Sequence, residues 1–102
     1  MNSIKHLKYR SRSEIIATIL EAANGGGATK TTIMYKAVIS YDYMKQSLLS
    51  LAEDGLIEYE QGRMTYRTTA KGMHLLQLYN NVNEMVQPSV LKIEKKNNDL
   101  FL

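Results

Sequence analysis

The chain has 102 residues, a hydrophobic fraction of 44% and a formal net charge of +3, which suits one domain with a modest core. It contains no cysteine, which excludes a disulfide framework, thiolate chemistry and a zinc ribbon. No apolar stretch approaches the roughly 20 residues that span a bilayer, and the N-terminus lacks the apolar segment of a secretion signal. A soluble, cytoplasmic protein is expected.

The charge is unevenly spread. Residues 1–12 carry Lys5, Lys8, Arg10 and Arg12 with no acid, and are expected to form a basic N-terminal arm. Glu53, Asp54, Glu58 and Glu60 make the middle of the chain acidic, and Arg63, Arg67 and Lys71 then restore positive charge. The sequence pI of about 9.2 falls in the range that favours nucleic acid, and the arm and residues 61–71 carry the excess.

The first element follows Ser13. In residues 14–23, Ile16, Leu20 and Ala23 line one helical stripe with Ile15 and Ile19 beside it, predicting a core helix. Asn24 and Gly25-Gly26-Gly27 end that helix in a flexible linker. No strand precedes the glycines and no Gly-Lys-Ser/Thr follows them, so a phosphate-binding loop is excluded. Thr29 is placed to cap a second helix over residues 30–37, burying Ile33, Met34 and Ala37 and leaving Lys30 exposed at its start. Val38, Ile39 and Ser40 then bridge to a third helix. Such a connection has helix-turn-helix spacing, although it lacks the usual glycine.

Ser40 is the expected cap of that third helix. At about 100° per residue, Tyr41, Met44, Leu48, Leu51 and Ala52 fall on one side and Asp42, Tyr43, Gln46, Ser50 and Glu53 on the other, the candidate reading face. Gly55 suits a left-handed residue closing the helix. Residues 56–60 and 64–68 read as two strands, with Gly62 in the turn free to adopt positive φ; in a regular strand Arg63 and Arg67 would share a face. Thr69 is placed to cap a last helix running to about residue 87. Along it Leu75, Leu78 or Tyr79, Val82 and Met85 or Val86 form a seam suited to another helix, with Leu76 and Tyr79 beside it. That much apolar surface favours a homodimer. Pro88 should break the helix, and a short helix through Val90, Leu91 and Ile93 can follow.

Capped helix, hairpin and second helix, in that order, are the parts of a winged helix. The expected class is α+β, mainly α: a winged helix-turn-helix with a two-stranded wing and a long C-terminal dimerisation helix. The expected division is a basic arm (1–12), a winged-helix domain (13–69) and a dimerisation helix with tail (70–102). In such a fold the capped helix enters the DNA major groove and the wing touches the flanking backbone.

Arg12-Ser13, Lys30-Thr31, Ile33-Met34-Tyr35-Lys36-Ala37, Ser40-Tyr41, Gly55-Leu56-Ile57 and Thr69-Ala70-Lys71-Gly72 resemble the archaeal winged-helix regulators related to the small 10a-type DNA-binding proteins. The resemblance spans roughly residues 12–79. It implies duplex DNA as partner, dimers joined through the C-terminal helix, often as an antiparallel coiled coil, and a role in transcription regulation or chromatin. The sequence departs from that pattern at Val38, commonly polar there, at Thr32, frequently basic, and at Thr68, usually a leucine that anchors the wing. A looser second strand is therefore expected, and Pro88 favours a short dimer contact over a long coiled coil.

The leading expectation is thus a homodimeric transcription regulator. Tyr43 and Gln46 would face bases and Lys30 and Lys45 phosphates. Arg63 and Arg67 would serve the wing, and Lys5, Lys8, Arg10 and Arg12 the arm. Leu75, Leu78, Tyr79, Val82, Met85 and Val86 would form the dimer interface. Glutamine can bond adenine bidentately, which makes Gln46 the most pointed of these. The alternatives are an architectural chromatin protein that binds by charge alone and a winged helix used as a protein-interaction module. No enzyme, metal or cofactor is expected: His6 and His74 stand far apart with no nucleophile, metal spacing or carboxylate pair around either.

Overall fold

The computed structural model describes residues 11–85, in the order α1 (Arg12–Ala22), α2 (Lys30–Ala37), α3 (Tyr41–Glu53), β1 (Ile57–Glu60), β2 (Thr65–Thr68) and α4 (Ala70–Met85). Mainly helical with a two-stranded antiparallel sheet, these elements form a winged helix. Lys5, Lys8 and Arg10 of the expected arm, Val86 of the expected seam, Pro88 and the tail lie outside the described residues.

The main core gathers Ile19 of α1, Ile33 of α2, Met44, Leu48 and Leu51 of α3 and Ile57 of β1, with Ala23, Ala28 and Ala37 between them. Full burial of an Ile, Leu or Met side chain contributes roughly 1.5–3 kcal/mol, so this cluster fixes the three-helix arrangement. A smaller cluster of Ala17, Leu20 and Leu76 docks α4 on α1. The buried face of α4 therefore runs through Gly72 and Leu76, while Leu75, Leu78, Val82 and Met85 stay exposed.

Helix α1 begins two residues earlier than Ser13 suggests. Ser11 is extended and its Oγ accepts a hydrogen bond from the Glu14 amide at 3.0 Å, which makes Arg12 the first helical residue and not part of an arm. The far end of α1 is closed by the sheet. The Thr68 hydroxyl donates to the Leu20 carbonyl at 2.6 Å and the Thr68 amide to the Ala23 carbonyl at 3.0 Å, satisfying carbonyls that a helix end leaves open. Thr68 is only 7% exposed. The expected looseness of the second strand is thus overturned: where leucine would supply packing, the threonine hydroxyl adds a hydrogen bond to the one its backbone amide makes.

The glycine triplet also does more than link. Gly25 and Gly27 take positive φ, and an added Cβ on Gly27 would lie 3.1 Å from the Tyr66 carbonyl oxygen. This close approach lets Ala28 pair with Tyr66 through two hydrogen bonds of 2.8 and 2.7 Å, a one-residue third strand against β2.

The connection from α2 to α3 has the left-handed residue that the missing glycine would have supplied, and it is Val38, at φ 54° and ψ 56°. The Ile39 amide bonds the Met34 carbonyl at 3.3 Å across it. At the end of α3 the same job falls to Gly55, at φ 73°, with Leu56 N–H donating to the Leu51 carbonyl and Gly55 N–H to the Ala52 carbonyl.

In the wing, β1 and β2 pair from Ile57 opposite Thr68 to Glu60 opposite Thr65, and a four-residue turn joins them. Positive φ in that turn belongs to Met64, at 55°, and not to Gly62. Arg63 lies in the turn as well, so the expected common strand face with Arg67 does not form.

Candidate nucleic-acid interface

Helix α3 stands with its first turn exposed and anchored. The Ser40 Oγ accepts from the Tyr43 amide at 3.2 Å, as its position before the apolar run predicts. Met44, Leu48 and Leu51 hold the inner side in the core. The outer side carries Asp42, Lys45, Gln46, Leu49, Ser50 and Glu53, all exposed.

Two residues assigned to the buried side of α3 are found outside. Tyr41, in the first turn, is 53% exposed, and the Lys45 ammonium lies 5.1 Å from its ring centroid. Ala52 is exposed too, at the opposite end of the same flank.

Tyr43, Gln46, Ser47 and Ser50 recur at three- and four-residue spacing and border a polar hollow of about 80 Å³, closed on the other side by Arg12. The guanidinium-bearing residue expected in an arm is therefore held by α1 beside α3. Lys30 is exposed at the first position of α2, whose N-terminus is capped by the Thr29 hydroxyl accepting from the Thr32 amide at 3.2 Å. The positive end of the helix dipole and the Lys30 charge coincide there.

The wing is electrostatically more guarded than its sequence suggests. Arg67 lies 3.0 Å from a Glu60 carboxylate oxygen and 3.8 Å from one of Glu58, because Glu58 faces it in register and Glu60 stands diagonally across. Its charge is compensated within the sheet, while Arg63 is exposed at the tip. On the other face Tyr59 and Tyr66 meet across the strands with ring centroids 4.9 Å apart and ring planes tilted by 51°.

At the base of the wing Thr69, Lys71 and Gly72 join α3, β1 and α4. The Thr69 hydroxyl donates to the Gly55 carbonyl at 2.6 Å and accepts from the Gly72 amide at 3.1 Å. Lys71 Nζ donates to the Asp54 carbonyl at 2.8 Å. This ammonium offsets the dipole at the C-terminus of α3, where Glu53 and Asp54 are unfavourably placed.

A second surface lies away from α3. Ser13, Ile16, Ala17 and Leu20 of α1 and Leu75, Leu76, Leu78, Tyr79 and Val82 of α4 line an almost wholly apolar groove of about 310 Å³. Met85, from the expected seam, is exposed beyond it. Among the described residues no three His, Asp or Glu side chains converge into a metal site, and His74 is exposed on α4. No described helix is long and apolar enough to cross a membrane.

A winged helix-turn-helix family model matches residues 9–87, most of the chain and every element described above. The chain belongs to the winged helix-turn-helix family. This is a family of DNA-binding folds, not of enzymes. Among solved structures, the winged helix-turn-helix chain is similar to Sso10a-2, a DNA-binding protein from Sulfolobus solfataricus. The TM-score is 0.61 and the identity 23%, with 91% of this chain and 98% of that chain covered. At that identity the likeness concerns the fold. No curated protein matches the sequence.

Leu49 is the site residue that sequence sorting passed over. It is 64% exposed on the outer side of α3, and the signal that finds it is its angular position next to Gln46 rather than its apolar character.

Proposed function

We propose that this winged helix-turn-helix protein is a homodimeric, sequence-preferring binder of double-stranded DNA and acts as a transcription regulator. Residues 40–54 enter the major groove and residues 56–68 lie along the flanking backbone. The observation that carries this reading is α3 itself: a firmly capped helix, held by Met44, Leu48 and Leu51, whose outer side is exposed along its whole length. The description of the structurally similar Sso10a-2 as a DNA-binding protein supports it.

Gln46 and Tyr43 meet bases in this reading, with glutamine bonding adenine N6 and N7. Lys45, Lys30 and Arg12 meet phosphates around α3, Arg63 does so at the wing tip, and Lys5, Lys8 and Arg10 follow the backbone further out. Arg67 contributes less, since it must first leave Glu60. Asp42, Glu53 and Asp54 repel phosphate and lower affinity for random sequence, which favours a selective regulator over a general DNA coater.

Dimerisation rests on the apolar groove between α1 and α4. A second copy covers it, with Leu75, Leu78, Tyr79, Val82 and Met85 continuing through Val86 as the interface. Two copies double the phosphate contacts, which matters because each winged helix presents few base-facing groups.

Selection of bound duplexes from a random pool at two salt concentrations tests the function. A motif that stays enriched at the higher salt is the expected result. Uniform binding that vanishes with salt would favour an architectural role, and no binding at low salt a protein-interaction role. Sedimentation of the Leu78→Glu/Val82→Glu double variant tests the dimer: the expected species is a folded monomer with weakened DNA binding.

A further inference from the structure

The outer side of α3 carries an exposed leucine that its charged and amide groups do not explain. It ends a row of exposed side chains, Tyr41, Lys45 and Leu49, at four-residue spacing, with the Lys45 ammonium held over the Tyr41 ring. Asp42 and Gln46 lie alongside. Leu49 gives nothing to the core, which takes its neighbours Leu48 and Leu51 instead. A lone exposed leucine is ordinary in itself. This one occupies the middle of the face proposed to meet DNA, three residues from Gln46 and one turn beyond Lys45.

Side chains three apart on a helix have Cβ atoms roughly 5–6 Å from each other, which allows both to reach one base pair or two stacked pairs. An A·T pair offers two groups to such a couple in the major groove: the N6 and N7 atoms of adenine, which suit an amide, and the 5-methyl of thymine, which suits an apolar side chain. We propose that Leu49 is a specificity-determining residue that packs on a thymine methyl beside the adenine bonded by Gln46, so that α3 selects an A·T-containing step. This rests on the DNA-binding reading above.

The test uses the full chain and an enriched duplex, with each thymine replaced in turn by deoxyuridine, which lacks only the methyl. Titrations at low salt keep the affinities of all variants measurable. At one thymine per half-site, loss of the methyl should weaken wild-type binding about fourfold, the worth of one buried methyl group. At that position Leu49→Ala and Leu49→Gln should be indifferent to the replacement, with unchanged thermal midpoints confirming that they fold. Thymines that are all silent in the wild type, an enriched motif without thymine, or a fourfold loss that persists in both variants would each overturn the assignment. An enriched motif with silent thymines leaves the regulator reading intact, whereas failure to enrich any duplex removes both.

Discussion

Replacing Gly72 by alanine sets helix propensity against packing at the corner where α4 leaves the wing. Propensity alone makes alanine the better residue by up to about 1 kcal/mol. In the structure an alanine Cβ would overlap the Leu56 carbonyl oxygen and lie 2.7 Å from Thr68 Cγ2. The first obstacle is backbone, so no side-chain rotation relieves it, and α4 must back away from the start of β1. That movement stretches the 3.1 Å bond from the Thr69 amide to the Leu56 carbonyl and the 2.6 Å bond from its hydroxyl to Gly55. Overpacking costs about 1–3 kcal/mol and a weakened hydrogen bond about 0.5–1.5 kcal/mol. After the propensity gain, Gly72→Ala should destabilise the fold by about 1–3 kcal/mol. At about 4–8 °C per kcal/mol for a domain of this size, the thermal midpoint should fall by roughly 5–20 °C. Urea and thermal unfolding followed by circular dichroism at one fixed protein concentration read both quantities. Gly62→Ala is the control: open space surrounds its Cβ and its φ is not positive, so its effect should stay within about 1 kcal/mol. A Gly72→Ala protein as stable as the wild type would refute the close approach of α4 to Leu56.

Val38→Gly should raise stability by about 0.5–1 kcal/mol in the same urea titration: left-handed geometry costs an L-residue about 1–2 kcal/mol, and glycine's extra chain entropy returns part of that. Thr68→Val keeps the shape but removes the donor to the Leu20 carbonyl, and a loss of about 1–3 kcal/mol is expected, visible as a lower urea midpoint with unchanged slope. For DNA binding, Arg12→Ala should reduce the slope of log affinity against log salt by about 1 per bound copy, or about 2 for a dimer. Arg67→Ala should change it much less, since Glu60 and Glu58 already hold that charge; equal slopes would contradict this.

The order of the elements was legible because it rests on local signals. Thr29 and Ser40 cap the helices they precede, Gly55 closes α3 in the left-handed region, and the apolar spacing of α1 and α3 marks their buried sides. What escaped is set by contacts distant in sequence. Thr68 reads as a weak anchor until the carbonyls of Leu20 and Ala23, far upstream, are seen beside it. The glycine triplet reads as a linker until Ala28 is found paired with Tyr66. Tyr41 satisfies the periodicity of a buried face, yet it stands 53% exposed in the first turn, where periodicity does not record how far the core extends. In the candidate interface the cations were identifiable by type, but their availability was not: Arg67 is compensated by cross-strand glutamates and Arg12 is carried by a helix. Leu49 fell in neither the buried set nor the polar set of α3, since its apolar character and its outward angle disagree.

The corner formed by Thr69, Lys71 and Gly72 has a consequence for operators. Three hydrogen bonds and one backbone contact without clearance tie the end of α3 to the start of α4, so the two helices turn as one body. In a dimer joined along α4, that rigid elbow acts as a ruler: the separation and phase of the two half-sites follow from the angle at Gly72, not from any residue that meets a base. A substitution that changes the angle at Gly72 would then leave the half-site sequence alone and change only its spacing.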